Sequence, residues 1–181
     1  MQHEIIIAGF GGQGILSMGK ILAYAGLLEG KEVTWFPSYG PEQRGGTANV
    51  TVILSDERIS SPVLNEYNIA IILNQLSLEK FEQTLKAGGV LLYDKYRITQ
   101  LPTRKNIRIF ETDATNTSIK EGSTKVFNMI VLGGIIKITQ IVKIESIIDS
   151  LKKSLPERNH KFLPMNQRAF FKGMDLIKEM K

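Results

Sequence analysis

Apolar residues at the start of the chain follow a strand pattern first and a helix pattern next. Residues 4–9 form a short, almost wholly apolar run that ends in glycine, as expected for a central strand buried on both faces. Over residues 15–28 the apolar side chains recur at helical spacing, and Gly30 is the predicted helix end. Residues 33–36 predict a second strand, which we expect Pro37 to close.

Strand patterns and turns continue in the next part of the chain. Residues 47–54 alternate apolar and polar side chains, which indicates a strand with one less buried face and suits antiparallel pairing. Residues 55–58 resemble a hairpin turn, so a returning strand is expected from Ile59 onward. Apolar runs predict three further strands, at 69–73, 90–93 and 107–111.

Four further stretches predict helices, three of them in the second half of the sequence. One is expected to be capped by Ser77 and to run to about Lys86, where Gly88 and Gly89 would end it. Three more stretches predict helices, at 124–139, 144–155 and 165–180. This order indicates a single α/β domain over residues 1–181, with three layers, a mostly parallel sheet flanked by helices and a Rossmann-like N-terminal half.

The turn between the first strand and the first helix carries a glycine motif, Gly9-Phe10-Gly11-Gly12-Gln13-Gly14. It matches G-x-G-x-x-G, with amides at the helix start that would favour an anion. The acidic residue that holds the ribose in dinucleotide sites is missing from the end of the second strand. Three interpretations therefore stay open: a dinucleotide, another phosphate-bearing ligand, or glycines needed only for packing.

A second glycine pattern, over residues 14–20, fits the phosphate-loop spacing G-x-x-x-x-G-K. The next residue is Ile21 instead of the Ser or Thr that would hold magnesium. The segment also has helical periodicity. We therefore interpret Lys20 as a solvent-facing helix residue.

The segment 38–46 is unusual because nine residues contain both charge signs, one proline and three glycines. Such loops are commonly functional surfaces. An ion pair between Glu42 and Arg44 that stiffens an ordinary turn explains the composition equally well. The residues alone do not decide between these two interpretations.

Composition narrows the chemistry that the chain can perform. None of its 181 residues is cysteine, which excludes disulfides, thiolate nucleophiles and cysteine-ligated clusters. The net charge of +5 comes from scattered lysines and predicts no nucleic-acid partner. Neither a signal peptide nor a membrane span is indicated, so a cytoplasmic protein is expected.

Candidate catalytic residues are few. His3 and His160 are the only histidines, and neither has ligand spacing to other metal-binding side chains. Asp94 and Asp113 follow predicted strands at the edge where α/β sites gather, but as isolated acids they are interpreted as turn and cap residues. We therefore assign neither a catalytic residue nor a metal site.

The two motifs together resemble the gamma subunit of the 2-oxoacid:ferredoxin oxidoreductases. The resemblance is carried by the glycine turn, by the closing stretch Asn166-Gln167-Arg168-Ala169-Phe170, and above all by residues 35–49, Trp35-Phe36-Pro37-Ser38-Tyr39-Gly40-Pro41-Glu42-Gln43-Arg44-Gly45-Gly46-Thr47-Ala48-Asn49. It covers essentially the whole chain. The sequence of the second motif is more similar to the 2-oxoglutarate branch than to the pyruvate branch. Within the family the alternative substrates are pyruvate, branched-chain oxoacids and indolepyruvate.

The resemblance implies a complex that oxidatively decarboxylates a 2-oxoacid to an acyl-CoA and passes the electrons to ferredoxin or flavodoxin. It implies that thiamine diphosphate, magnesium and iron–sulfur clusters are carried by the alpha and beta subunits, and by a ferredoxin-like delta subunit where one is present. This chain would bind none of these cofactors alone. It would contribute assembly and a surface on the side of CoA, the co-substrate.

The same resemblance implies two sets of site residues. The glycines of the turn would contact a CoA phosphate: Gly9, Gly11, Gly12 and Gly14. The second motif would face partner subunits: Ser38, Tyr39, Glu42, Arg44, Gly45, Gly46 and Asn49. The alternative from another class is a free-standing dinucleotide-binding oxidoreductase.

Overall fold

A computed structural model describes residues 1–39 and 47–180 of the chain. The strands in this part are β1 (Gln2–Phe10), β2 (Glu32–Tyr39), β3 (Thr47–Ser55), β4 (Tyr67–Ile72), β5 (Leu85–Asp94), β6 (Arg108–Thr112) and β7 (Lys178–Met180). The helices are α1 (Ile15–Leu28), α2 (Gln75–Phe81), α3 (Ala114–Lys120), α4 (Phe127–Thr139), α5 (Ile144–Ser154) and α6 (Leu163–Asp175).

The strands form one mixed sheet in the order β2-β3-β1-β4-β5-β6-β7. Its four central strands, β1, β4, β5 and β6, run parallel. The outer pairs are antiparallel: β1 with β3, β2 with β3, and β6 with β7. The α/β class is confirmed, and so is the antiparallel pairing expected for residues 47–54.

Helices cover both faces of the sheet, which gives the three layers. Ile5 and Ile7 of β1 pack on the face that carries α1, α4, α5 and α6. Ile6 and Ala8 point to the opposite face of the sheet. There they belong to a second buried cluster, to which α2 contributes Leu78. The continuous apolar run of β1 thus reflects burial on both faces. Each such isoleucine contributes about 1.5–3 kcal/mol through burial.

The first helix ends where the sequence predicts. Gly30 adopts a positive φ of 74°, and the Lys31 N–H donates to the carbonyl of Gly26 at 3.0 Å. This hydrogen bond satisfies one of the carbonyls left open at the helix end. The chain then reverses into β2.

Helices α4 and α6 cross in unusually close contact. A Cβ atom on Gly133 would overlap the carbonyl oxygen of Phe170, and one on Gly173 would overlap the carbonyl oxygen of Ile130. Because backbone meets backbone on both sides, neither position has room for a methyl group.

One predicted turn and one predicted helix differ from the structure. No strand returns from Ile59, because the chain runs irregularly from there to β4; the hairpin is instead β2–β3, whose strands pair antiparallel. The helix expected from Ser77 to about Lys86 forms as α2, but both of its predicted bounds are wrong. Asn74 is the cap, its Oδ1 accepting from the Ser77 N–H at 2.8 Å, and Leu85 already begins β5.

Two predicted boundaries are also wrong. Pro37 does not close β2, which continues to Tyr39; proline is tolerated there because β2 is an edge strand that pairs only with β3. The last helix ends at Asp175 and not at Met180, since Lys178–Met180 pairs with β6 as a short edge strand. Helical periodicity could not reveal this pairing, because the partner strand is about 70 residues away in sequence.

Candidate functional site

The glycine motif forms a tight turn at the carboxyl end of β1. Gly12 has a φ of 95° and Gly14 a φ of 75°, conformations that strongly favour glycine. A Cβ on Gly12 would have no atom within 4 Å, whereas one on Gly14 would lie 2.8 Å from Cβ of Asn128. One glycine therefore faces open space, and the other permits α1 to pack against α4.

Gln13 fixes this turn, and the sequence analysis gave it no role. Its side-chain Oε1 accepts from the Phe10 N–H at 2.6 Å, and its Nε2 donates to the Leu73 carbonyl at 3.2 Å. Gln13 thus links the turn to the end of the neighbouring strand β4. A side chain at Gly9 would overlap Gln13 and Leu73, so this position requires glycine. No sequence signal distinguishes Gln13, because a glutamine directly after a glycine pair in a turn is common.

Both sequence motifs meet at this edge of the sheet. Phe10, at the end of β1, pairs with Thr47, at the start of β3. Ser38 of β2 pairs with Asn49 of β3, which also pairs with Ala8 of β1. The antiparallel hairpin therefore places the described ends of the second motif, in β2 and β3, beside the glycine turn.

The predicted interface residues are placed only in part. Ser38 is exposed and Asn49 is half-buried. The backbone of Tyr39 belongs to β2. Glu42 and Arg44, together with Gly45 and Gly46, lie outside the described residues.

Arg97 is a further residue at the turn that the sequence analysis missed. It follows β5, and its exposed side chain lines a cavity of about 460 Å³ together with Phe10, Gly11, Gly12 and Gln13. A guanidinium group beside glycine backbone favours an anion such as a phosphate. No single-sequence pattern connects Arg97 with the turn, because more than 80 residues separate them.

The segment that follows Arg97 is held against the first residue of α2 and against Glu82, just after that helix. Gln75 Oε1 accepts from the N–H groups of Thr99 and Gln100, both at 3.0 Å. Glu82 Oε1 accepts from the N–H groups of Thr103 and Arg104 at 2.5 and 2.8 Å. These four hydrogen bonds fasten an otherwise irregular segment.

Two acids at the same sheet edge have structural partners. Asp94 is fully buried and accepts from the N–H and Oγ1 of Thr115 at 3.1 and 2.5 Å. Burial raises the pKa of the Asp94 carboxyl, and the hydrogen bonds from Thr115 act against that rise. Asp113 lies 3.5 Å from Lys95 Nζ and accepts from Asn116 at 2.8 Å. Both carboxyls thus serve the start of α3.

The residues present do not fit the redox cofactors that the resemblance implies for the complex. The sequence has no cysteine to ligate an iron–sulfur cluster. Within residues 1–39 and 47–180, no group of three His, Asp or Glu side chains could hold a metal ion. Among the helices in these same ranges, none combines the length and the hydrophobicity that a membrane span requires.

The strand order also differs from that of a dinucleotide-binding unit. In that unit the second strand lies beside the first, and an acid at its end reaches the ribose. Here β3 lies between β1 and β2, and β2 ends in Pro37-Ser38-Tyr39. This arrangement disfavours the free-standing dinucleotide enzyme.

The chain matches the family model described as pyruvate ferredoxin/flavodoxin oxidoreductase over residues 4–176. It is 36% identical to the ketoisovalerate oxidoreductase subunit VorA of Methanothermobacter thermautotrophicus over 97% of this chain, but it spans only 36% of VorA. It is 35% identical to the 2-oxoglutarate synthase subunit KorC of Methanothermobacter marburgensis, covering 99% of this chain and 98% of KorC.

A solved structure shares the fold over nearly its whole length. The gamma subunit of a keto/oxoacid ferredoxin oxidoreductase from Geobacter sulfurreducens superposes with a TM-score of 0.84 at 31% identity. The match covers 97% of this chain and 96% of that subunit. The resemblance stated from the two motifs is thereby confirmed.

Proposed function

Because the chain belongs to the pyruvate ferredoxin/flavodoxin oxidoreductase family, we propose that it acts as the gamma subunit of a multisubunit 2-oxoacid:ferredoxin oxidoreductase. The proposed substrate is 2-oxoglutarate, converted with CoA and oxidised ferredoxin into succinyl-CoA, CO₂ and reduced ferredoxin. The similarity to KorC extends over nearly the whole of both chains, whereas the chain covers only about a third of VorA. This difference in coverage supports 2-oxoglutarate as the substrate. The identity to VorA makes a branched-chain 2-oxoacid the second candidate.

In this reaction the chain contributes to assembly of the complex and to the surface on the side of CoA. It does not perform the redox chemistry. Thiamine diphosphate, magnesium and the iron–sulfur clusters belong to the alpha and beta subunits, and to a delta subunit where one is present. Bound there, thiamine diphosphate supplies the carbanion chemistry. Having no cysteine, this chain can contribute no thiolate ligands to a cluster.

One observation carries the proposal: residues distant in sequence meet around the glycine turn. The pairing of Phe10 with Thr47 places the glycine turn beside the ends of the β2–β3 hairpin. Arg97 adds a positive charge to the cavity at the turn. In the proposed complex the second motif contacts partner subunits, and the turn with Arg97 contacts a phosphate of CoA.

The test uses the complex reconstituted from this chain and its alpha and beta subunits. Ferredoxin reduction is measured with 2-oxoglutarate, pyruvate and 2-ketoisovalerate at varied CoA concentrations. We expect 2-oxoglutarate to have the highest kcat/KM. Arg97→Ala should raise the KM for CoA about tenfold, as expected for loss of one charge-assisted phosphate contact. Arg44→Ala should reduce co-purification of the partners. Arg58→Ala, at an exposed residue after β3, is the matched control.

Several outcomes would contradict parts of this proposal. A complex of alpha and beta subunits that turns over equally well without this chain contradicts the subunit role. An unchanged CoA dependence in both arginine variants, with unchanged co-purification, contradicts the surface assignment. Turnover or visible cluster absorbance of the purified single chain contradicts the division of labour.

A further inference from the structure

Positive charge is concentrated in the segment between α5 and α6. Residues 152–161 contain four Lys or Arg side chains and one acid, Glu157. The four cations are all exposed: Lys152, Lys153, Arg158 and Lys161. Within residues 1–39 and 47–180, none of them forms an ion pair with an acid. We call these four side chains, together with the exposed ring of Phe162, the basic corner.

Helix electrostatics account for only part of this charge. Lys152 and Lys153 lie in the last turn of α5, where cations interact favourably with the negative end of the helix dipole. Arg158 and Lys161 lie beyond α5, in a 3₁₀ segment that continues directly into α6, so no free helix end balances them there. Lys161 Nζ lies 5.2 Å from the centroid of the Phe162 ring, a contact that involves no carboxylate.

The turn after α5 is folded back onto that helix and holds the basic corner in one shape. His160 Nε2 donates to the carbonyls of Lys152 and Leu155 at 3.1 and 3.0 Å. The Asn159 N–H donates to the Pro156 carbonyl at 2.8 Å. These hydrogen bonds fix the backbone that carries the cations. A partner therefore meets a surface that loses little conformational freedom on binding.

A second basic segment, residues 95–105, differs in this respect. It contains four Lys or Arg side chains and no acid, but most of them have partners within the chain. Lys95 Nζ lies 3.5 Å from a carboxylate oxygen of Asp113. Arg104 donates from Nη1 to three backbone carbonyls and from Nε to Asn106. Of the two segments, the basic corner is thus the one whose cations all lack an ion-pair partner in the described part of the chain.

The composition of the basic corner indicates the kind of partner that it fits. Clustered cations attract acidic protein surfaces and speed association with them. Lysine is depleted in the cores of stable interfaces, whereas the weak encounters of electron-transfer proteins bury little area. Four cations around one exposed aromatic ring therefore fit a transient acidic protein better than a permanent subunit. The modest net charge of +5 argues against a nucleic acid.

We propose that the basic corner is a docking surface for an acidic electron carrier, the ferredoxin that accepts the electrons in the proposed reaction. The inference thus rests on the proposed function. Because this chain has no cysteine to ligate a cluster, the basic corner increases the rate of encounter and takes no part in electron transfer itself. The carrier would receive its electrons from clusters in the partner subunits.

The test measures, by biolayer interferometry, the association rate of an acidic ferredoxin with the full-length chain, alone and in the reconstituted complex. Lys152→Glu combined with Lys161→Glu should slow association about tenfold at low salt, because two charges of the corner are reversed. The difference should shrink as added salt screens the charges. Lys152→Gln combined with Lys161→Gln avoids placing acids at a helix end and should show a smaller loss in the same direction.

Lys105→Glu combined with Lys137→Glu is the matched control, since both lysines are exposed and the change in net charge is the same. Its association rate should stay within about twofold of that of the unmodified chain. Circular dichroism verifies that each variant is folded.

Four outcomes would overturn the proposal. They are an unchanged association rate in the folded variants, an equal loss in the matched control, a loss with the isolated chain but not with the complex, and no ferredoxin binding at all. Lost binding of single-stranded RNA with unchanged ferredoxin association would instead make the basic corner a nucleic-acid surface. Turnover of 2-oxoglutarate with methyl viologen, a small acceptor that needs no docking surface, is measured separately. Absence of that turnover contradicts the proposed function, whereas ferredoxin association alone decides the docking inference.

Discussion

Two glycine-rich regions of this molecule have opposite surroundings. At the turn between β1 and α1, Gly12 has a positive φ and open space where a side chain would be. At the crossing of α4 and α6, Gly133 and Gly173 have no such space, because each faces a backbone carbonyl of the other helix. The turn needs glycine for its conformation and keeps its backbone accessible, whereas the crossing needs glycine for packing. A glycine at the open turn therefore indicates an accessible backbone, whereas a glycine at the helix crossing indicates close packing.

The largest expected effect is at the helix crossing. Gly133→Ala would place a methyl group against the Phe170 carbonyl, and neither backbone can move without separating α4 from α6. We expect a loss of about 3 kcal/mol in the free energy of unfolding, at the upper end for overpacking. Urea unfolding of the full chain measures it.

The adjacent glycine provides the matched control. A Cβ on Gly134 would lie 2.5 Å from Cδ1 of Ile177, the mobile end of a side chain. Gly134→Ala also gains about 1 kcal/mol of helix propensity, so its stability should stay within about 1 kcal/mol of the unmodified chain. Equal stability of the two variants would contradict the packing role assigned to Gly133.

An intermediate effect is expected at Gly14, which has both a positive φ and a close packing contact. It has a φ of 75°, and a Cβ would lie 2.8 Å from Cβ of Asn128. Gly14→Ala should cost about 2 kcal/mol, from left-handed backbone and from crowding. Combining it with Asn128→Gly removes the crowding alone. A double-mutant cycle should give a favourable coupling of about 0.5 kcal/mol or more. A coupling of zero would assign the whole cost to the backbone.

The smallest effect is expected at Gly12. Gly12→Ala meets no atom, so only the positive φ of 95° opposes it, at a cost of about 1 kcal/mol. For a chain of this size that cost corresponds to a fall of about 2–4 °C in the midpoint of thermal unfolding. Gly12→Asn should lower the midpoint less, because asparagine tolerates positive φ better than alanine. A fall as large as that for Gly133→Ala would remove the distinction between the two regions.

Much of the fold was predictable from local pattern. The first strand and helix follow from apolar spacing, and the antiparallel character of residues 47–54 follows from their alternation. One of the errors depends on a distant partner, and another is local. The last helix was extended too far because pairing of Lys178–Met180 with β6 is invisible to helical periodicity. Ser77 was chosen as a cap by residue type, although Asn74 has the required position.

The candidate site was predictable only as two separate motifs. Their meeting at one edge depends on β3 being inserted between β1 and β2. Arg97 and Gln13 carried no sequence signal of their own, because an arginine after a strand and a glutamine in a turn are common. Their roles come from the Leu73 carbonyl that Gln13 binds and from the glycine turn beside Arg97.

By itself the sequence determined what is local or compositional: a first strand buried on both faces, a glycine turn leading into a helix, and a chain without thiolates for redox centres. Which glycines are exposed, which are packed and which charge lies beside the glycine turn depend on the folded arrangement. The two kinds of information differ in the sequence distance over which they act. Side-chain periodicity and backbone preference act over a few residues. Packing, register and electrostatic neighbourhood depend on segments that meet only when the sheet is complete.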